Sequence, residues 1–132
     1  MTGHHCSSKT TPYQHGAVVH ALRAAAETGD AAVISALLDP AVEMLTDGGG
    51  LVAANPHGVR GAQAVARRIC DVLDRQPAEI SVREINGQAG LVLRRGGSVS
   101  AVVCVNVRHR RVTDLWVVLN PEKLRHWNAP HD

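Results

Sequence analysis

Residues 80–119 read ISVREINGQAGLVLRRGGSVSAVVCVNVRHRRVTDLWVVL, and this stretch decides the fold. Asn86-Gly87 is a hairpin signal, because a two-residue turn between strands needs residues that tolerate positive φ. Gly96-Gly97 and Arg108-His109-Arg110 divide what remains. Four strands follow, at 80–85, 89–94, 99–107 and 112–119, joined as an antiparallel meander. In the third, Val99, Ala101, Val103, Val105 and Val107 are all apolar, so this face packs on helices. Ser98, Ser100, Val102, Cys104, Asn106 and Arg108 form a mixed outer face. Val112 and Leu115 stand three apart and break the period of two. A bulge near Thr113-Asp114 restores it, placing Val112, Leu115, Val117 and Leu119 inside, and Trp116 and Val118 outside beside Val102 and Cys104.

Upstream the period changes to that of a helix. Val18, Val19, Leu22, Ala25 and Ala26 form one apolar stripe, which Thr28-Gly29 stops. Asp30 caps a second short helix carrying Val33, Ile34, Leu37 and Leu38, ended by Pro40. A strand at 42–47 leads into Gly48-Gly49-Gly50, and 51–54 reads as a short second strand. Helical spacing returns over 61–75, with Ala62, Val65, Ile69, Val72 and Leu73 as the buried stripe and Gln76-Pro77 as the stop. Asn120-Pro121 opens a short last helix with Leu124 and Trp127. Residues 1–14 lack periodicity and read as a flexible tail, 15–128 as one α+β domain, and 129–132 as a C-terminal tail.

The chain has 132 residues, 45% hydrophobic and 20% charged, which suits one globular domain and excludes disorder. No apolar run approaches the ~18 residues of a membrane span, and the polar leader has no signal-peptide core, so a cytoplasmic protein with no membrane partner is expected. Three cysteines, Cys6, Cys70 and Cys104, define neither a disulfide framework nor a zinc site. A formal charge of +2, with no Phe, one Tyr and two Trp, weighs against nucleic acid as a partner. Of the fourteen basic residues twelve are Arg, a usage typical of a high-GC bacterial genome. With so few aromatics, any interior cavity is lined mainly by aliphatic side chains.

Thr28-Gly29-Asp30 between two helices, and Gly61 four residues before Val65, resemble the SnoaL-like domains of the nuclear-transport-factor-2-like superfamily. Asp47-Gly48-Gly49-Gly50 and Asn120-Pro121-Glu122-Lys123-Leu124 resemble the paired signatures of one subgroup, the SnoaL-like C-terminal extension of extracytoplasmic-function sigma factors. That subgroup usually has Asp where this chain has Glu122. The sigma domains that precede the extension are not in the chain, so it resembles the extension alone, as a free-standing relative or as a fragment, and the polar leader from Met1 favours the first. The resemblance covers 18–127. It implies a cone-shaped α+β barrel, with helices packed on a curved antiparallel sheet and a pocket at the open end. Relatives include isomerases, cyclases, epoxide hydrolases, dehydratases and non-catalytic binders, so the fold does not fix the function.

The resemblance also implies site positions. In the isomerases a donor tyrosine sits on helix 1, where this chain has Leu22, and the base position falls on Thr46. Asp47 is one residue on and points to the other face in strict register. It remains the best candidate acid or base, although Asp before three glycines also suits an Asx-turn. His57, between Pro56 and Gly58, is the second candidate, at the pocket mouth or in solvent. The expected pocket walls are Leu22, Met44, Thr46, Ile69, Val103, Val105 and Leu115, with Asp47 near the rim. Arg94-Arg95 and Arg108–Arg111 make a basic sheet end that could dock an acidic protein partner, or two charged hairpin tips.

Two readings stay open. One is a small-molecule-binding domain, regulatory or ligand-carrying, with a small apolar molecule as its partner. The other is a small biosynthetic enzyme of the cyclase, isomerase or dehydratase type. Neither implies a cofactor, since there is no phosphate loop, dinucleotide fingerprint or zinc spacing. Val102, Cys104, Trp116 and Val118 form an outer apolar patch that a homodimer would bury. Removal of Met1 would leave Thr2-Gly3-His4, whose terminal amine, two amides and imidazole form an incidental square-planar site for copper(II) or nickel(II) at His4.

Overall fold

The structure, a computed structural model, describes residues 11–47, 58–119, 124, 125 and 127. The His4 site, the Gly48-Gly49-Gly50 turn, the strand expected at 51–54, His57, the signature at 120–123 and the tail at 129–132 lie outside those residues.

The first helix, α1 (Pro12–Thr28), begins inside the segment that reads as a tail. Its start is a capping box: Thr11 Oγ1 accepts from the Gln14 backbone N–H at 3.1 Å, and Gln14 Oε1 accepts from the Thr11 N–H at 3.3 Å. Gly29, at φ 71°, ends it in the left-handed region. Asp30 then caps α2 (Ala31–Ser35), its side chain accepting from the Ala32 N–H at 2.9 Å.

The sequence reading carries this second helix to Leu38; the structure ends it at Ser35. The Leu37 carbonyl accepts from the Val112 N–H at 2.9 Å, and Leu38 opens β1 (Leu38–Asp47) opposite Val112. Sheet bonds outcompete a further helical turn there, and Leu38 fills the core from a strand. Pro40 lies in the irregular stretch between Leu38 and Glu43, where its missing N–H breaks no regular ladder.

After β2 (Val59–Arg60) come α3 (Ala62–Arg75) and the meander of β3 (Glu79–Ile85), β4 (Gln88–Arg95), β5 (Ser98–Arg108) and β6 (Arg111–Val118). The six strands make one sheet in the order β2-β1-β6-β5-β4-β3. Asn86 and Gly87 have φ of 53° and 85°, as a two-residue hairpin requires. The sequence reading makes the sheet antiparallel throughout, but β1 pairs with β6 in parallel. No hairpin joins these two strands, so nothing local fixes their relative direction.

Two bulges decide which side chains face the helices. Asn106 faces Asp114 and Val107 faces Val112, which leaves Thr113 as the expected extra residue. A second bulge was not anticipated by the alternation. Leu93 faces Ala101 while Arg94 faces Val99, so Ser100 is extra, and its hydroxyl donates to the Leu93 carbonyl at 3.3 Å. This sends Val99 to the outer face, against Val92 and Val102, and not to the helix side.

The main core lies between the helices and the inner face, around Val19, Leu22, Ile34, Leu38, Val65 and Val112. His15 belongs to the same side: it is the buried polar residue among those described, and its Nε2–H donates to the Ala89 carbonyl at 2.8 Å, tying α1 to β4. On the outer face a smaller cluster joins Ile85, Val92, Val99, Val102 and Leu124, with Cys104, Val118 and Trp127 packed on it.

Candidate ligand pocket

The helices cover the inner face without filling it. Between α3 and the end of the sheet near the β4–β5 hairpin lies a cavity of about 410 Å³, within the range of small-molecule sites. Its floor is aliphatic, from Leu22 and Ala26 of α1, Met44 of β1, Leu91 of β4, Val103 of β5 and Leu115 of β6. Ile69, Val72 and Leu73 of α3 form the opposite wall. Val72 is 43% exposed, although it continues the stripe that carries Val65 and Ile69. The stripe is correct, but at this level it faces a hollow and not a packed neighbour.

Six of the seven residues expected on the walls border the cavity: Leu22, Met44, Thr46, Ile69, Val103 and Leu115. Val105 does not. It lies two residues farther along β5 from the open end, opposite Leu115, and is 2% exposed inside the core. Asp47 does not line the cavity either. Thr46 takes the inward position, and Asp47 takes the next one, half-buried and opposite Val118, with its carbonyl accepting from the Leu119 N–H at 2.8 Å.

The polar part of the wall was missed. Arg68, Asp71 and Arg75 of α3 and Arg95 and Ser100 of the β4–β5 hairpin border the same cavity. Arg68 and Arg75 are seven residues apart and so share a helix face; that spacing was the available signal. Arg95 follows Leu91 and Leu93 at a period of two on the inner face. Its expected partnership with Arg108–Arg111 fails, because the β4–β5 and β5–β6 turns lie at opposite ends of the eleven-residue β5. The basic hairpins do not form one patch.

A broader groove on the other side of α3 is lined by Glu27, Arg67, Cys70, Asp71 and Asp74, among others. Burial pushes the Cys70 thiol up, and the Asp30 and Asp74 carboxylates push it the same way. Burial alone pushes up Cys104. Both remain thiols near neutral pH, which suits packing and not nucleophilic attack. Among the described residues no group of three or more His, Cys, Asp or Glu could hold a metal ion. No described helix is long and apolar enough to cross a membrane.

Of the residues expected at a dimer interface, Val102 is 4% exposed and Cys104 and Val118 are half-buried, all three in the cluster with Leu124. The chain's own C-terminal residues therefore cover part of that patch. Trp116 stays exposed, and its register neighbour on β1, Leu45, is exposed as well.

No family model matches the chain, and no curated protein matches it. Solved structures do. The extracytoplasmic function sigma factor SigJ of Mycobacterium tuberculosis is 27% identical, with a TM-score of 0.66 over 83% of this chain. The match takes in 43% of SigJ, so the chain spans less than half the length of that protein. A nuclear-transport-factor-2-like protein of Burkholderia xenovorans LB400 is 17% identical with a TM-score of 0.57, covering 92% of this chain and 100% of that one. A protein of unknown function with a cystatin-like fold from Methylobium petroleophilum PM1 is 13% identical with a TM-score of 0.62, covering 81% and 76%. Helices on a curved, unclosed sheet, an inner-face cavity and these likenesses agree on the architecture: the chain has the SnoaL-like, nuclear-transport-factor-2-like fold.

Proposed function

We propose that this domain binds a small molecule with a largely apolar body in the inner-face cavity, as a binding or regulatory module. The observation that carries the reading is the uncovered aliphatic wall, where Val72 remains 43% exposed opposite the floor residues Leu91 and Val103. A folded chain gains by burying such a wall, and a ligand of matching shape completes that burial. The similarity to part of SigJ supports a regulatory setting. An enzyme of the cyclase, isomerase or dehydratase type needs an acid or base facing the cavity. Among the described residues no His, Cys or Tyr lines it, and its carboxylate, Asp71, sits 3.6 Å from Arg75. This favours binding over catalysis.

The test is uptake of N-phenyl-1-naphthylamine, an uncharged dye whose emission rises in apolar surroundings. Val117→Phe fills the cavity from β6, where Val117 is only half-buried. We expect the dye to bind the native domain and to bind the filled variant at least about tenfold more weakly, with melting unchanged or raised. Equal binding by both, or none by the native domain, overturns the reading.

A further inference from the structure

The cavity is aliphatic in its depth and cationic at its lip. Arg68 and Arg75 stand on one side, two helical turns apart on α3, and Arg95 stands across the opening at the end of β4. Only Asp71 among the described lining residues carries negative charge, so the lip holds three guanidinium groups against one carboxylate. Asp71 is already engaged, with one oxygen 3.6 Å from Arg75 Nε. Arg68 and Arg95 make no ion pair within the described structure. A purely apolar ligand would leave these guanidiniums with water alone. A ligand with an anionic end would meet them where its apolar body reaches the floor.

Building on the binding reading, we infer that the site selects an amphipathic carboxylate: an apolar body in the cavity and a carboxylate held at the lip by Arg68 and Arg95. The planar fork of a guanidinium matches a carboxylate with two parallel hydrogen bonds, which an ammonium cannot do. Size fits as well. At ~30 Å³ per water, 410 Å³ holds roughly 14 waters, so an acid of about that many non-hydrogen atoms occupies it. The carbonyl end of α3 opposes an anion only within its last turn, and Arg68 lies two turns before it. Because the lip is exposed, its charges are partly screened, and the selectivity expected is modest.

The experiment compares octanoate, decanoate and dodecanoate with octanol, decanol and dodecanol by titration calorimetry on the full chain. Each acid is expected to bind about five- to tenfold more tightly than the alcohol of the same length, with the gap narrowing as salt is raised. Arg68→Gln with Arg95→Gln should bring the two series together by weakening the acids alone. Asp71→Asn should strengthen the acids and leave the alcohols unchanged. Equal affinities in the native domain overturn the carboxylate inference and leave the binding reading standing, as does a gap that survives the double variant. Failure of both series to bind overturns the two together.

Discussion

The two faces of the same strands make a useful comparison. β4, β5 and β6 carry apolar side chains on both sides, yet the sides end in opposite states. The inner face has three helices over it and still encloses a hollow, with Val72 and Val117 facing space. Among the described residues the outer face has Leu124 and Trp127 over it, and Val92 and Val102 are 1% and 4% exposed. Ile85 reaches over Gly90, whose missing side chain leaves room for it, so the outer cluster is closely packed at this point. The helices, held at a distance by the curve of the sheet, cannot close on its open end.

The largest effect should come from breaking the outer cover. Leu124→Ala removes a buried side chain, 6% exposed, from the packed face and should cost about 2–4 kcal/mol in urea unfolding. Val117→Ala, on the hollow face, should cost under about 1 kcal/mol, because that side chain already borders a void and leaves few contacts behind. Equal costs would show that the two faces are equally packed. Adding volume should reverse the order. A Cβ on Gly90 would lie 2.6 Å from the Val103 carbonyl oxygen and against the end of Ile85. Gly90→Ala should therefore destabilise by about 1–3 kcal/mol, whereas Val117→Phe should be tolerated. A neutral Gly90→Ala would mean that the outer face has slack.

The exposed part of the outer face tests assembly. We propose that two copies pair through Trp116 and Leu45, exposed register neighbours on β6 and β1. Sedimentation of the native domain should give a dimer and Trp116→Arg a monomer. Leu124→Ala, although less stable, should still pair while folded. A dimer that persists in Trp116→Arg places the contact elsewhere.

The comparison also explains what could be read from sequence. Hairpins were legible because Asn86-Gly87 and Gly96-Gly97 leave few conformations open, and the bulge at Thr113 was legible because Val112 and Leu115 break the alternation. The bulge at Ser100 was not, since valines occupy both faces of β5 and Val99 fits either one. The inward face of the strands was legible from alternation, but Val105 was not separated from the residues that border the cavity, because pattern shows a face and not how deep a hollow runs. The arginine lip was missed because arginines on a helix read as solvated. His15 was missed for its polarity, although 15, 19, 22 and 26 share the stripe and a carbonyl on β4 satisfies its ring. The parallel pairing of β1 with β6 depends on contacts far apart in sequence, which no local signal carries.

A last substitution touches neither face and sets the scale for the others. The β5–β6 hairpin turns through His109 and Arg110 at φ of 54° and 65°, a region that costs an L-residue with a β-carbon roughly 1–2 kcal/mol relative to its usual backbone. The corresponding turns at Asn86-Gly87 and Gly96-Gly97 each contain glycine, which enters that region freely. Both His109 and Arg110 are exposed, so their side chains contribute little packing to offset the strain. Arg110→Gly relieves it at one position but gives the unfolded chain more freedom, and the two effects partly cancel. The net should be a stabilisation of about 0.5 kcal/mol in urea unfolding with an unchanged slope. A loss of stability would mean that the Arg110 side chain holds the hairpin by a contact worth more than the backbone strain it imposes.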